Sequence, residues 1–426
     1  MARQSVQPAR DAALAAMSRW PKDEPLVLLH SGRHHPRWAT RSLLARPQLW
    51  FRYTAKRRSE ISCQVSGDTP PSARCPKHWT HNLWHDLRAL LNDSNLPGRW
   101  FGYFSYDLGR LIEPTKLAPP SGDWPLVELA WCPDVEELRT DELTVDEQAL
   151  TIGDPQPEIR NLTRNFTRSA YESAVCRVLE YIAAGDVFQV NLAQRFTTEY
   201  RGQPRQLYER LATVSPAWYG AYFELPGQRA IISTSPELFL SVERGHVVTR
   251  PIKGTRAAQC DARELLNSAK DTAELNMIVD LMRNDLGRVC SYGSVQVTES
   301  RTIETHPTVH HAVATIEGDL HPSKDIVDLL KATLPGGSVT GAPKVRAMQI
   351  IDELEPCPRG PYCGAIGCIS RTELQLSVAI RTMLKRRELV DFSVGGGIVA
   401  DSNPSAEYDE TLTKAQAMLA ALGDGD

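Results

Sequence analysis

Hydrophobic and polar positions in the second half of the chain follow a helical period and then change to a strand period. Apolar side chains recur at helical spacing over residues 171–182, and Gly185 stands where a glycine commonly ends a helix. Over residues 187–196 the pattern becomes an alternation, which predicts a strand whose polar face carries Gln189. That polar face is a candidate lining for a binding site.

Three further short strands are predicted over residues 230–233, 238–242 and 247–252, with a turn at Arg244 and Gly245 between the last two. The third of these strands ends at Lys253. Glu237, just before the second strand, and Lys253 are therefore expected on neighbouring strands.

Lys253 lies between two residues that restrict the direction of its backbone. Pro251 fixes the chain before it, and Gly254 permits a sharp turn after it. A surface lysine has no need of this frame, whereas an amine that attacks a carbon atom at one angle does. The string predicts that Lys253 is a nucleophile.

The order of these elements favours an α+β fold, because helices and strands alternate without the regular rhythm of a doubly wound sheet. The first 160 residues have more mixed patterns, with a loose helix or frayed end over residues 1–22 and loops at 113–125 and 153–158. We predict an N-terminal region, 1–160, intertwined with the core, and a catalytic region, 161–426.

Two predicted helices each carry a pair of acids three residues apart. The pairs are Asp271 with Glu274, on a helix over residues 267–281, and Glu407 with Glu410, on a helix that begins at Asn403 and Pro404. At about 100° per residue, the second pair lies away from the apolar stripe of its helix and shares a face with Lys414. Two such pairs suit a hard divalent cation such as Mg2+. Solvated acidic faces are the alternative.

Two glycine-rich strings, at residues 336–341 and 395–397, are predicted to be loops. A phosphate-binding loop is not favoured for the first string, because Lys344 stands three places after its last glycine instead of directly after it. The hydroxyls of Ser338 and Thr340 and nearby backbone N–H groups suit carboxylates instead.

Three histidines, His306, His310 and His311, lie close together in the sequence. No cysteine or acid completes a familiar zinc spacing around them, so at least two are predicted to be core histidines with satisfied hydrogen bonds.

Composition excludes several classes of protein. A net charge of −4 gives no field for a polyanion, so nucleic acid is not expected as a partner. Nine cysteines without a CxxC pair predict reduced thiols and a cytoplasmic protein. No secretory signal and no run of about 18 apolar residues is present, so a membrane is not expected as a partner either.

Six strings, taken together, resemble the chorismate-utilising enzyme family. The strings are PIKGT, AKDTAELNMIVDLMRNDLGRV, LPGGSVTGAPKVRAMQIIDELEP, YCGAIG, IRTM and GGGIVADSNPSAEYDETLTKA. The resemblance covers residues 165–422 nearly continuously. It implies a fold like that of anthranilate synthase component I, with two large, mostly antiparallel β-sheets packed as a sandwich and helices outside.

The resemblance also implies roles for individual residues. Glu274 and Glu410 would be the principal Mg2+ ligands, completed by Asp271 and Glu407, and Glu237 would protonate a departing hydroxyl. The residues that would bind or position chorismate are Gln189, His311, Ser338, Thr340, Tyr362, Arg381, Gly395, Gly396, Gly397 and Lys414.

Lys253 distinguishes branches of this family. Anthranilate-forming relatives typically have a small residue at this position, whereas a lysine there implies a transferase that aminates chorismate. In that reaction the lysine amine adds at C2 as the 4-hydroxyl leaves, and ammonia then adds at C4 and expels the lysine. Gln189 stands where chorismate-hydrating relatives have a lysine base, and glutamine cannot take a proton from water. Lys253 acting only through its charge stays an alternative.

The resemblance implies further partners. A separate glutamine amidotransferase subunit would deliver the ammonia, and the product, 4-amino-4-deoxychorismate, would lead to 4-aminobenzoate and folate. Residues 28–32 match a tryptophan pocket of relatives, with His30 and Ser31 as candidate contacts. An anthranilate-forming component and a non-catalytic tryptophan sensor are the alternative functions.

Overall fold

A computed structural model describes residues 11–63, 79–113, 117, 120, 122–140, 161–306 and 309–423. The helices in these ranges are α1 Ala12–Arg19, α2 Leu83–Asn92, α3 Gly109–Ile112, α4 Arg168–Ala183, α5 Pro204–Val214, α6 Arg263–Asn267, α7 Ala269–Gly287, α8 Ile326–Thr333, α9 Lys344–Leu354 and α10 Pro404–Leu422. None of them combines the length and apolar character that a membrane-crossing helix needs.

The strands of the described residues follow in chain order. They are β1 Val27–His30, β2 Arg41–Ala45, β3 Leu49–Tyr53, β4 Ser59–Cys63, β5 Arg99–Phe104, β6 Val127–Cys132, β7 Val135–Arg139, β8 Thr163–Arg164, β9 Gln189–Glu199, β10 Tyr219–Leu225, β11 Arg229–Ser235, β12 Leu238–Glu243, β13 His246–Arg250, β14 Ile252–Ala257, β15 Gln296–Thr305, β16 Val309–Asp319, β17 Gly341–Ala342, β18 Ala365–Ile369, β19 Glu373–Val378, β20 Thr382–Arg386 and β21 Leu389–Ile398.

The described strands form two sheets. The first has the order β17-β9-β21-β20-β11-β10-β1-β2-β7, with β8 beside β9, and the second has the order β14-β16-β13-β12-β19-β18-β5-β6-β3-β4, with β15 beside β16. Strands from the first 140 residues continue both sheets, since β1 pairs with β10 and β5 pairs with β18, in both cases antiparallel. The N-terminal region is therefore built into the same two sheets as the rest.

The two sheets pack face to face through buried apolar side chains. Phe223 and Ile231 of the first sheet share one cluster with Phe101 and Ile366 of the second. The outer face of the first sheet packs against α1, α5 and α10, and a larger cluster joins the second sheet to the helices α2, α4, α7, α8 and α9. This is the predicted sandwich of antiparallel sheets with helices outside.

Local sequence signals account for several of these elements. Asn403 caps α10 by accepting hydrogen bonds from the backbone N–H groups of Ser405 and Ala406, and Pro404 is its first residue, as predicted. The Arg244–Gly245 turn has both residues at positive φ, which suits a tight connection between β12 and β13.

Other predictions are settled only in part. Within residues 1–22, α1 confirms a helix, while residues 1–10 lie outside the described part. The predicted boundary at residue 160 and the predicted loop at 153–158 also lie outside the described residues. The cysteines whose side chains the structure describes are all free, namely Cys132, Cys176, Cys260, Cys290, Cys357, Cys363 and Cys368.

Candidate active site

The predicted site residues come together where one end of the first sheet meets one edge of the second. The first sheet contributes β9, with Gln189, and β21, with Gly395 to Gly397. The second sheet contributes β14, with Lys253, and β16, with His311. Helix α7 packs on β14 and β16, and α10 packs on β21, so each sheet brings one acidic helix to the site.

Lys253 lies at an irregularity within a strand, and the prediction that the strand ends there was wrong. One register runs along β16 from the His246–Asp319 pair to the Ile252–Val313 pair, and it then shifts before the Thr255–His311 pair. An extra residue in one strand is a β-bulge, which bends the strand and redirects a side chain. Gly254 provides the positive φ of +80° within this bulge.

The amine of Lys253 is held by a backbone carbonyl. Its Nζ donates to the Ser338 carbonyl at 3.0 Å. Burial lowers the pKa of Lys253 from its usual value, against the opposing effect of Glu274 and Glu237, and the charge of Lys414 lowers it further. The site thus favours the neutral, nucleophilic amine more than water does.

Burial also shifts the pKa of Glu237, but in the opposite direction from that of Lys253. It is 5% exposed, and burial raises its pKa to about 7, although a hydrogen bond with Ser338 and the charge of Lys253 oppose that rise. A carboxyl group with this pKa still carries its proton in roughly half of the molecules at pH 7. This pKa suits a general acid, and the general-acid role of Glu237 stays a prediction.

Three carboxylates of α7 and α10 lie close enough together for the charge of one to shift the pKa of another. Burial raises the pKa of Glu274, and the negative charge of Glu407 adds to the rise. Burial also raises the pKa of Glu407, with Glu410 adding to it. For Glu410 burial acts in the same direction, but Lys414, at 2.7 Å, makes the net shift downward.

Asp271 is placed differently from the other acids. Its carboxylate accepts a hydrogen bond from Arg256 Nη2 at 2.8 Å and lies against Gly254, where an added Cβ would meet Asp271 Cγ at 3.0 Å. The predicted metal ligand is thus engaged in holding the bulge next to Lys253.

The remaining acids suit a hard cation by their donor chemistry. Among the described residues, no three His, Cys, Asp or Glu side chains already stand close enough together to hold an ion. However, an added Cβ on Gly396 would lie 3.2 Å from Glu407 Oε2 and 3.5 Å from Glu410 Oε1, so the missing side chain leaves space in front of both carboxylates. Oxygen donors beside such a space fit Mg2+.

Gly395 to Gly397 lie in β21, so the prediction of a glycine-rich loop was wrong. They pair with Ala193, Leu192 and Asn191 of β9. An added Cβ on Gly397 would lie 2.3 Å from Gln189 Nε2, and one on Gly395 would lie 2.5 Å from the Leu192 carbonyl. Glycine is required here because the neighbouring strand and its side chains occupy the space of a Cβ.

Gln189 presents an amide with unused hydrogen-bonding capacity. The side chain is fully buried, and within the described part of the chain neither its Oε1 nor its Nε2 has a hydrogen-bond partner. Buried polar groups without partners are costly in a folded protein. The amide of Gln189 is therefore a suitable contact for a polar ligand.

Arg381 and His311 form a second polar part of the site. Burial lowers the pKa of Arg381, and no carboxylate in the described ranges pairs with it. His311 Nδ1 is hydrogen-bonded to Thr255 Oγ1 at 2.9 Å, while its buried Nε2 has no described partner. Burial and then the charge of Arg381 hold the pKa of His311 well below its usual value. An unpaired guanidinium beside a neutral imidazole suits an anionic ligand.

Other predicted contacts have mixed outcomes. Tyr362 is buried, and burial raises its pKa, so its phenol stays protonated. Thr340 uses its hydroxyl within the loop, where it donates to the Gly336 carbonyl at 2.8 Å. Lys414 donates to the Gly395 carbonyl at 2.9 Å. Lys344, excluded above as a phosphate-loop lysine, is buried and pairs with Asp285 at 2.6 Å.

The three histidines take separate places. His310 is satisfied by Thr305 Oγ1 at 3.0 Å and by the Ala258 carbonyl at 3.1 Å, as expected of a core histidine. The ring of His306 contacts the ring of His311, with centroids 5.2 Å apart. His306 Nε2 has no described hydrogen-bond partner, so the prediction of two satisfied core histidines holds only for His310.

The candidate tryptophan contacts are engaged within the protein. His30 Nε2 meets Asp11 Oδ2 at 2.7 Å, and its Nδ1 meets Tyr208 Oη at 2.9 Å. Ser31 donates to the Arg41 carbonyl at 2.8 Å. The tryptophan pocket stays a prediction.

Two charged residues that contact the site were not predicted from the sequence. Arg359 is buried and donates to the carbonyls of Val339 and Asn191. Lys270, on α7, lies 4.0 Å from Glu274. Lys270 lies inside one of the six strings, whereas Arg359 lies between two of them, and nothing in the sequence says which carbonyl a buried arginine contacts.

The fold and this site define the class of protein. Residues 40–420 match the family described as chorismate binding enzymes, and the chain belongs to this family. The crystal structure of anthranilate synthase component I from Streptococcus pneumoniae has a TM-score of 0.72 and 30% identity, over 91% of this chain and 93% of that one.

Two curated relatives of nearly equal identity differ in how much of this chain they match. Aminodeoxychorismate synthase component 1 of Salmonella typhimurium is 42% identical over 379 residues, which are 80% of this chain and 82% of the relative. Anthranilate synthase component 1 of Aquifex aeolicus is 43% identical over 281 residues, which are 64% of this chain and 57% of the relative. The similarity to the first relative extends over much more of the chain.

Proposed function

We propose that the chain is the chorismate-aminating component of an aminodeoxychorismate synthase. The observation that carries the proposal is the Lys253 amine, which is held at 3.0 Å by the Ser338 carbonyl and has a lowered pKa. Beside it lies Glu237, a carboxyl group whose pKa is raised to about 7. A neutral amine and a protonated acid side by side are the pair that nucleophilic displacement of a hydroxyl requires.

In the proposed reaction, the lone pair of Lys253 Nζ forms a bond to C2 of chorismate. The ring double bonds shift and the C4–oxygen bond breaks, while Glu237 gives its proton so that the hydroxyl leaves as water. Ammonia then bonds to C4, the double bonds shift back, and the bond between Nζ and C2 breaks. The product is 4-amino-4-deoxychorismate, with its enolpyruvyl group retained.

The other residues of the site bind and orient the substrate. Arg381 and Tyr362 would hold a carboxylate of chorismate, and Gln189 would offer its unpaired amide to the ring substituents. Mg2+, held by Glu274, Glu407 and Glu410, would supply positive charge to a second carboxylate and reduce charge repulsion near the ring. Asp271 would support the Lys253 bulge through Arg256. Ammonia would come from a separate glutamine amidotransferase subunit.

The purified chain with chorismate, Mg2+ and ammonium is expected to form 4-amino-4-deoxychorismate, detected by chromatography and mass spectrometry. Anthranilate formation is the second candidate, because a relative at 43% identity carries that name. Release of anthranilate and pyruvate in place of the aminated product would refute the proposal. Tryptophan binding without any turnover would instead favour a sensor.

The variant Lys253→Met should lower kcat at least about 10³-fold, because it removes the nucleophile but retains an unbranched side chain of similar length. Lys324 is exposed, so Lys324→Met is a control with the same change and normal turnover. An adduct at Lys253 with the added mass of chorismate less water, trapped in the wild-type protein without ammonium, would distinguish covalent from purely electrostatic action.

A further inference from the structure

The Ser338 carbonyl that holds the Lys253 amine belongs to a loop that is held in place by the buried side chain of Arg359, here called the anchor. Arg359 is 3% exposed, and its guanidinium donates to the Val339 carbonyl at 2.8 Å and to the Asn191 carbonyl at 2.6 Å. Val339 directly follows Ser338, so Arg359 fixes the carbonyl next to the one that Lys253 uses. The contact with Asn191 ties the loop to β9.

Glu355 completes the anchor from the other side of the guanidinium. Its carboxylate accepts from Arg359 Nε at 2.9 Å and also from the Ala193 backbone N–H at 2.9 Å. The ring of Tyr106 lies 4.5 Å from the centre of the guanidinium. The planar fork of an arginine can bridge two carbonyls and a carboxylate in fixed directions, whereas the single ammonium of a lysine cannot.

Both reacting groups of the proposed function lie against this loop. Lys253 donates to the backbone carbonyl of Ser338, and the side chain of Ser338 lowers the pKa of Glu237 against the larger effect of burial. A shift of the Ser338–Val339 peptide would therefore displace the acceptor of the amine and change the surroundings of the acid. Small displacements matter here, because a misplacement of about 1 Å can lower a rate by about 10²-fold.

We propose that Arg359 is a positioning residue, which through Val339 fixes the Ser338 carbonyl and so directs the Lys253 amine at the substrate. This inference rests on the proposed function for its effect on turnover. It also has a consequence that needs no substrate. A carbonyl acceptor favours the charged ammonium, so loss of the anchored carbonyl should lower the pKa of Lys253 further.

The test compares Arg359→Lys with wild type in the full-length chain. Acetic anhydride labelling across a pH series, followed by mass spectrometry of Lys253 with exposed Lys324 as the internal reference, measures the titration midpoint of the amine. The midpoint should move to lower pH, and kcat with chorismate, Mg2+ and ammonium should fall by about tenfold or more while KM changes by less than about threefold.

Arg229→Lys is the matched control, because Arg229 also pairs with a buried carboxylate, that of the fully buried Glu128 at 2.7 Å. It should leave the Lys253 midpoint unchanged. If Arg359→Lys does not fold, Glu355→Gln should shift the midpoint in the same direction, because it removes the charge that orients Arg359.

An unchanged Lys253 midpoint in the folded Arg359 or Glu355 variant would overturn the inference, even if turnover falls, because that result would show a merely structural role. Failure of the wild-type chain to aminate chorismate would refute the proposed function separately, since the labelling midpoint does not depend on turnover.

Discussion

Burial in the same part of the site shifts the pKa values of Lys253 and Glu237 in opposite directions. Burial penalises the charged form of each group, so the pKa of Lys253 falls and that of Glu237 rises to about 7. The amine becomes a better nucleophile, and the carboxyl keeps the proton that a leaving hydroxyl needs. For both residues, burial thus favours the uncharged state that the proposed reaction uses.

Turnover of the wild type should fall as the pH rises above about 7, because Glu237 then loses the proton that it must donate. Glu237→Gln should lower kcat by about 10²- to 10⁴-fold and should abolish this alkaline limb in the residual activity. Rate measurements from pH 5 to pH 9 provide the test. An alkaline limb that persists in the variant would assign it to another group.

The raised pKa of Glu237 also predicts that the stability of the fold depends on pH. Because the folded pKa of about 7 exceeds the ordinary 4.5, the contribution of Glu237 is fully present below pH 4.5 and is lost as the pH rises through about 7. The loss amounts to roughly 3 kcal/mol at most. Glutamine does not ionise, so the Tm of Glu237→Gln relative to wild type should rise between pH 5 and pH 8. A constant difference would contradict the shift.

At the scale of elements, the site depends on two helices and on two strands that are distant in the sequence. The carboxylates of α7 and α10 meet because each helix packs on a different sheet. Between them, β21 has glycine where β9 and the acids need space. The functions of α10 and β21 can be tested separately.

Removal of one α10 carboxylate should weaken metal binding. Glu410→Gln should raise the Mg2+ Kd at least about tenfold, measured by calorimetry on the chain without chorismate. Asp409→Asn is the matched control, because Asp409 is the adjacent residue and pairs with Arg168 away from the other acids. Equal weakening in both variants would indicate only a general loss of negative charge.

Alanine substitutions in β21 should separate folding from function. In Gly395→Ala the new Cβ meets backbone at 2.5 Å, so we expect a loss of stability of roughly 1–3 kcal/mol. In Gly396→Ala the Cβ meets only the ends of side chains, those of Glu407, Glu410 and Lys414, at 3.2 Å or more. The Tm should therefore stay close to wild type while Mg2+ affinity falls. A larger loss of Tm in Gly396→Ala would contradict this assignment.

At the scale of the whole molecule, the two regions distinguished in the sequence share both sheets. Val27 of β1 pairs with Phe223 of β10, and Phe104 of β5 pairs with Ala365 of β18. Without the N-terminal strands, both sheets would expose unpaired edges and apolar surface. The catalytic region is therefore not expected to fold by itself.

Expression of residues 161–426 alone should yield a chain without cooperative thermal unfolding, as followed by circular dichroism. Coexpression with residues 1–160 should restore folding to some extent, because the pairing partners are then present. A fragment 161–426 that unfolds cooperatively at the Tm of the full chain would show that the regions are independent domains.

Much of the site could be predicted from the sequence, because its residues lie in long strings. Lys253 lies within electrostatic range of Glu237, Glu274 and Glu410, while the roles of these residues and of Gln189 stay predictions. The metal-ligand role of Asp271 stays a prediction. Its pairing with Arg256 was not predicted, because it depends on how α7 packs against β14. The anchor at Arg359 was not visible, because it binds backbone carbonyls of segments 20 and 168 residues away.

Local sequence was sufficient to predict a helix cap, a tight turn and the chemistry of the side chains. The cap of α10 and the Arg244–Gly245 turn depend on neighbouring residues, so their patterns were sufficient. The tertiary structure decided whether Gly395 to Gly397 form a loop or a strand, and whether Lys253 ends a strand or lies in a bulge. Those outcomes depend on pairing with β9 and β16, whose positions are set by long-range packing of the two sheets and not by local preference.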